Sequence, residues 1–265
     1  MQVAVERAIA TMWNRYEEPL SLDEIANTAI LSKFYFSRVF RNLTGTSPGR
    51  FLSVVRLHQA KSLLLETNLS VTEISYRVGY NSLGTFTSRF TRSVSHSPAR
   101  YRALARAGLL APSGGSATGP QQLLDGARLT GDLEGTIRLP GIAQPVRIYV
   151  GAFRESIVQG RPTACAILDG PGSFSLRLPE GAWYVRAAIL AVDAPPSPLG
   201  QRRPLLVASS QVLNVRRGQD TRVNLIGRPM TPLDLPILLA LPELDFSGLP
   251  KTGGAPFELP AITGT

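Results

Sequence analysis

Residues 21–51, SLDEIANTAILSKFYFSRVFRNLTGTSPGRF, and residues 70–101, SVTEISYRVGYNSLGTFTSRFTRSVSHSPARY, are one pattern written twice. Glu24, Ile25 and Ala26 recur as Glu73, Ile74 and Ser75, 49 residues on. The FSRVF run from Phe36 to Phe40 returns as FTSRF from Phe86 to Phe90, 50 residues on, and Ser47-Pro48 returns as Ser97-Pro98 at the same offset. A repeat of this length implies one supersecondary unit used twice. The offset changes by a single residue between the two halves of each unit, and a turn absorbs one inserted residue where a helix does not.

Each copy carries the start signals of two helices. Ser21 with Glu24, and Ser70 with Glu73, have the spacing of a capping box, in which a serine and a glutamate satisfy each other's orphan amides. A turn and a second helix follow, beginning near Ser32 and Ser82. In the first copy Phe36, Val39, Phe40 and Leu43 fall at i, i+3, i+4 and i+7, the inward stripe of a helix. The opposite face presents Lys33, Phe34, Ser37, Arg38 and Arg41. Arginine forks onto guanine, serine bonds a base or a phosphate, and phenylalanine touches a thymine methyl, so this face suits a major groove. In the second copy Phe86 and Phe90 point inward. Ser82, Leu83, Gly84, Thr87 and Ser88 face outward, with Arg89 and Arg92 to the sides, a set better suited to anchoring on phosphates than to reading bases. Between the copies, residues 51–66 hold no Gly or Pro and predict a continuous helix that spaces the two units rigidly.

These features resemble the DNA-binding domain of the AraC/XylS family of bacterial regulators. The resemblance is carried by SLDEIAN, LSKFYFSRVFRNLTGTSP, RLHQAKSLLLET, SVTEISYRVGYNS and TFTSRFTRSVSHSPARYR. It implies base contacts from Lys33, Phe34, Ser37 and Arg38 in one recognition helix and from Leu83, Gly84, Thr87 and Ser88 in the other. It also implies duplex promoter DNA as partner, RNA polymerase as a further one, and a companion domain that senses a small-molecule effector or pairs two copies as a homodimer. Four residues depart from the family pattern: Ile30 and Ser95 where a small turn residue or glycine is usual, Ser75 for alanine, and Ser88 for arginine.

The rest of the chain sets the frame. Among its 265 residues the formal charge is +9, which suits an anionic partner. Residues 1–105 hold 13 Lys and Arg against 7 Asp and Glu, so +6 of that excess lies in the helical part. The expected division is a double helix-turn-helix domain at 1–105, a Gly/Ser/Pro-rich linker at 106–127, a β domain at 128–227 and a Pro-rich tail at 228–265 that wraps a surface or stays loose. The β domain announces itself by a change of period. Leu133, Ile137 and Leu139 alternate with polar residues, as do Val146, Ile148, Val150 and Ala152, then Phe174, Leu176 and Leu178, then Trp183, Val185, Ala187 and Ile189. Further strands are expected near 205–215 and 221–226. Short strands at this spacing predict an antiparallel β-sandwich, so the fold class is an all-α domain followed by an all-β one. The run PGSFSLRLPEGAWYVRA resembles transthyretin-like and carboxypeptidase-regulatory-like sandwiches. Tyr149, Phe153, Trp183 and Tyr184 are candidates to line an effector pocket, although core or surface roles suit them as well.

Other chemistry is weaker. Gly45-Thr46-Ser47-Pro48-Gly49 matches the G-x-S-x-G nucleophile elbow, but that motif needs a strand before it and a histidine partner. The two histidines, His58 and His96, offer no metal cluster, and no cofactor motif is present. Cys165 is the single cysteine; an alkyl-acceptor protein that repairs DNA would use it, but TACAI around it lacks a cation to activate the thiol. A scaffold protein is the remaining alternative. The start of the chain does not read as a signal peptide and no apolar run spans a bilayer, so a cytoplasmic protein without a membrane partner is expected.

Overall fold

The computed structural model describes residues 1–107, 121–122, 130–155, 157–158, 160–192 and 204–239. Most of the expected linker, Leu129 and the end of the tail lie outside these residues. Among the described residues seven helices come first: α1 (Gln2–Asn14), α2 (Leu22–Thr28), α3 (Lys33–Thr44), α4 (Pro48–Glu66), α5 (Val71–Arg77), α6 (Leu83–Val94) and α7 (Pro98–Arg106). Nine strands follow among them: β1 (Gln121–Gln122), β2 (Thr130–Arg138), β3 (Val146–Phe153), β4 (Ala164–Leu168), β5 (Gly172–Pro179), β6 (Gly181–Ala191), β7 (Leu206–Ser209), β8 (Leu213–Val215) and β9 (Thr221–Ile226).

The helices form where the caps say they should. Both capping boxes are closed: Ser21 accepts from the Glu24 amide while Glu24 accepts from the Ser21 amide, and Ser70 with Glu73 repeats this. Ser47 and Ser97 cap α4 and α7, each with proline in the first helical position, where no amide hydrogen is needed. The Gly45–Gly49 pattern is therefore two helix ends back to back. Gly45 closes α3 in the left-handed region (φ 73°) and Ser47 opens α4, with no strand before it.

Two cores share α4. Phe51, Leu52 and Val55 join α1, α2 and α3 in one cluster around Ile9, Met12, Phe36 and Phe40. Val54, Leu57, Ala60 and Leu64 join α5, α6 and α7 in another around Ile74, Phe86, Phe90 and Tyr101. A helix apolar on both sides must be buried on both sides. Two half-buried arginines tie its surroundings together: Arg56 donates to the Tyr16 and Glu18 carbonyls, and Arg102 of α7 donates to the Leu64 and Leu69 carbonyls.

The C-terminal part holds two sheets, one ordered β1-β4-β3-β6-β7 with β8 also on β6, the other β5-β2-β9. Their inward residues share one cluster, including Leu133, Ile148, Leu176, Trp183 and Leu225. β4 takes up the apolar, strand-like run around Cys165 and pairs β3 with Cys165 opposite Gly151. Two features differ from the sequence expectation. β1 falls inside the stretch expected as linker. The arrangement is not wholly antiparallel, because β9 runs parallel to β2. A parallel neighbour requires a long crossover, and the excursion through β3 to β8 supplies it.

Residues 228–239 form a strap between the two parts. It leaves the sheet where Arg228 pairs with Val207. The Arg228 guanidinium then grips both carboxylate oxygens of Asp234 at 2.7 Å. Burial pushes the Asp234 carboxyl up, but that fork and the Thr231 amide and hydroxyl outweigh it, leaving the group below its ordinary range. Along the strap, Leu233, Leu235 and Leu238 turn to the helical cores, whereas Ile237 and Leu239 turn to Ala188 and Leu190 on the outer face of the first sheet. The Leu239 carbonyl accepts from the buried Lys61 ammonium of α4 at 3.0 Å. Other contacts also join the halves: Arg50 pairs with Glu155, and the Gly160 amide donates to the Ser93 carbonyl at 3.0 Å, capping an orphan at the end of α6.

Two outcomes follow from this packing. Leu238 is 0% exposed, so Leu238→Ala costs about 3 kcal/mol and lowers the helical melting transition, although the residue lies outside the helical domain. Ile30 closes α2 at φ 58° and is 77% exposed, whereas its counterpart Gly79 sits at φ 81°. A branched residue pays for the left-handed region, so Ile30→Gly stabilises by about 1 kcal/mol in denaturant titrations. Gly79→Ala does the opposite, since its methyl would meet the Tyr16 carbonyl at 2.8 Å.

Candidate nucleic-acid interface

α2 and α3 form the first helix-turn-helix, and α5 and α6 the second. The turns are built alike. Leu31 N–H bonds the Ala26 carbonyl and Ile30 N–H the Asn27 carbonyl; Tyr80 to Ser75 and Gly79 to Tyr76 repeat this at the second turn. Phe36 and Phe40 are fully buried, as are Phe86 and Phe90, so each second helix is held by a pair of rings against α4 and its neighbours. Val39 is half-buried. Leu43 is not in the core as its spacing suggests; it is 37% exposed and faces the β part, because the end of α3 runs past the edge of the helical core.

The outward face of α3 is open. Phe34 is 80% exposed, and Lys33, Arg38 and Arg41 are exposed with Ser37 half-buried between them. Lys33 is held by Asp23 at 3.3 Å and lies over the Phe34 ring at 5.7 Å, while Arg38 lies over the Tyr35 ring at 5.2 Å. Exposed ion pairs of this kind are weak, so Asp23 orients Lys33 without consuming it. Ser37, Arg38 and Arg41 also line a groove with Leu22, Asn42, Ser47, Pro48 and Gly49. The start of α4 thus joins the face. Its amides carry the partial positive charge of a helix N-terminus, and sequence reasoning missed it, although the Ser47-Pro48 cap was a legible signal.

The second face is weaker in charge. Leu83, Gly84 and Ser88 are exposed and Thr87 is half-buried. The Ser82 hydroxyl accepts from the Thr85 amide as an N-cap. Arg89 reaches back to the Ser53 hydroxyl of α4 at 3.3 Å, whereas Arg92 is exposed in the last turn of α6. Ser95 ends α6 at φ 70°, the place Gly45 takes in the first copy.

The other candidates separate. Tyr149 and Phe153 line a cavity beside the strap, but Trp183 is 1% exposed, donates to the Pro179 carbonyl and lies beneath Arg154. Tyr184 packs beside Arg186. Burial raises the Cys165 thiol above its ordinary pKa, the opposite of what an activated nucleophile needs. Among the described residues no group of His, Cys, Asp and Glu could hold a metal ion, and no helix is long and apolar enough to cross a membrane.

The helix-turn-helix domain family matches residues 25–104. The HTH-type transcriptional activator RhaS of an Enterobacter species is 33% identical over 98 residues, 37% of this chain and 35% of its own. The probable transcription factor PqrA of Proteus vulgaris is 32% identical over 85 residues, 32% of this chain and 70% of its own. A solved transcriptional regulator of Chromobacterium violaceum, described as containing an AraC-type DNA-binding domain, is 31% identical, with 39% of this chain and 92% of that chain covered and a TM-score of 0.36. The chain spans only 27% to 39% of the length of the first curated relatives that it matches. With the domain matched across both repeats and PqrA covered over most of its length, this chain belongs to the AraC-type helix-turn-helix family.

Proposed function

We propose that the protein is a sequence-specific DNA-binding regulator of transcription from bacterial promoters, and not an enzyme. The observation that carries this reading is the duplicated reading unit: two second helices, built on matching turns, with their polar faces exposed on a domain of net charge +6. The first helix reads bases through Lys33, Phe34, Ser37 and Arg38, with Arg41 on a phosphate. The second, through Ser82, Leu83, Gly84, Thr87, Ser88, Arg89 and Arg92, anchors the protein in the next major groove. The relatives, a transcriptional activator and a probable transcription factor among them, support the same reading.

The division of labour follows from chemistry. Arg38 offers a fork that matches guanine, worth about 1–3 kcal/mol of discrimination against a wrong base. Thr87, Ser88 and Gly84 make few strong base contacts, so Arg89 and Arg92 supply mainly Coulombic attraction, which releases counterions and is sensitive to salt. The two sheets of the C-terminal part are read as a transthyretin-like sandwich that serves regulation or pairing of two copies. RNA polymerase is the further partner a promoter-bound regulator meets, and the chain works in the cytoplasm.

Binding to a selected duplex separates the roles. Arg38→Ala weakens a specific site by about 1–3 kcal/mol and relaxes base preference at one position. Arg92→Ala weakens specific and non-specific duplexes alike and lowers the slope of log affinity against log salt by about 1. Wild-type protein prefers its site over random duplex by about a thousandfold or more at physiological salt. Equal affinity for every duplex would remove the regulator reading in favour of a scaffold.

A further inference from the structure

The C-terminal ends of both recognition helices, the outer face of the first sheet and the strap enclose a cavity of about 450 Å³. That lies within the range of small-molecule sites, roughly 300–1,000 Å³. Its floor is made of two cross-strand rows. In one row Ile167, Tyr149, Ala188 and Val207 stand side by side. In the next, Cys165, Gly151, Arg186 and Ser209 do so, and the Phe153 ring and Pro162 pack directly over Gly151, where a Cβ would meet them at 2.9 Å and 3.1 Å. The strap supplies an apolar wall through Leu233, Leu235, Ile237 and Leu239. Leu43 and Thr44 of α3, with Val94, Ser95 and His96 at the end of α6, supply the other wall.

The charges in this lining are unequal. Among the described lining residues there are three arginines, Arg161, Arg186 and Arg228, and one carboxylate, Asp234, which Arg228 grips. Arg186 is half-buried and donates to the Val185 and Ser210 carbonyls, which fix its plane. Burial, with Arg100 and Arg161 nearby, pushes the His96 imidazole below its ordinary pKa, so it is a neutral neighbour to the arginines. An apolar chamber with surplus guanidinium charge rejects cations and favours an anion that brings its own apolar body.

We infer that this cavity binds a small amphipathic anion, an apolar ring or chain bearing a single carboxylate or sulfonate, with the head group between Arg161 and Arg186 and the body over Ala188 and Tyr149 against the strap. Resting on the reading of α3 and α6 as the DNA-reading helices, occupancy also bears on DNA binding. The cavity wall contains the last residues of both helices, and the β part caps α6 through the bond from Gly160 to Ser93.

The test uses the full chain and two dyes that share one ring system, anilinonaphthalene sulfonate and the neutral phenylnaphthylamine. The sulfonate dye brightens saturably at one site and protects Cys165, the single cysteine, from iodoacetamide. It binds about tenfold or more tighter than the neutral dye, as charge-assisted pairing to arginine requires. Ala188→Trp fills the chamber and abolishes both brightening and protection. Arg161→Ala, at an exposed residue whose loss leaves the melting temperature unchanged, weakens the sulfonate dye about fivefold and leaves the neutral dye unaffected. Absence of saturable brightening, or alkylation of Cys165 at the same rate with dye bound, overturns the site. Equal affinity for the two dyes overturns its anion preference. These arms contain no DNA, so their failure is separate from failure of the regulator reading, which dye-free duplex binding tests. With dye bound, affinity for the selected duplex changes about fivefold or more, and an unchanged affinity overturns the coupling.

Discussion

The double burial of α4 is the constraint on which the rest of the structure depends. Nineteen residues of unbroken helix, about 28 Å long at 1.5 Å per residue, give Phe51, Leu52 and Val55 to one core and Val54, Leu57, Ala60 and Leu64 to the other. Each helix-turn-helix is too small to bury a core of its own, so each takes its inner wall from this rod. The consequence is geometric. α3 and α6 are packed by paired phenylalanines against a shared spacer, so their separation is set by helix rise. Two major-groove segments on one face of a duplex lie about 34 Å apart, and a rigid body of this length suits that spacing better than a flexible joint would.

The strap extends the same logic to the whole chain. Lys61 of α4 is 5% exposed, and its ammonium is satisfied in part by a carbonyl of residue 239. The same ammonium lies over the Tyr101 ring of α7 at 5.7 Å, so the strap adds a carbonyl acceptor to a cation held inside the helical domain. The clasp between Arg228 and Asp234 sets the strap's direction as it leaves the sheet, and its leucines then divide between helical and β surfaces. Local strain sits beside these contacts. Ser95 occupies a left-handed position that suits glycine, at the end of α6 where the β part makes its amide contact through Gly160. Helix ends and the β part are energetically joined at this point.

Much of the helical half was legible because its signals are local. Ser21 with Glu24, Ser70 with Glu73 and the Ser-Pro openings of α4 and α7 each specify a helix start within four residues, and the repeat placed them twice. The outward faces of α3 and α6 were legible for the same reason, since 3.6 residues per turn fixes what opposes Phe36 and Phe86. What was hidden depends on tertiary partners. Leu43 has core spacing, but the core ends before it. Arg89 turns to Ser53, a residue 36 positions away. The strap has prolines and no period because successive side chains face three different surfaces, so no single periodicity describes it. The parallel pairing of β9 is a matter of topology, which alternation cannot report. The cavity needed strap, sheet and two helix ends together, and only Tyr149 and Phe153 among its candidates were visible beforehand.

Selection of bound sites from random duplex DNA by the full chain tests the central claim most directly, because site length and half-site spacing report both helices and the rod between them at once. The account predicts one bipartite site, with a well-defined half and a weaker half centred about 10 base pairs apart, and with loss of enrichment when bases are inserted between the halves. Enrichment of a single short element indifferent to such insertions, or no enrichment at low salt, would contradict it.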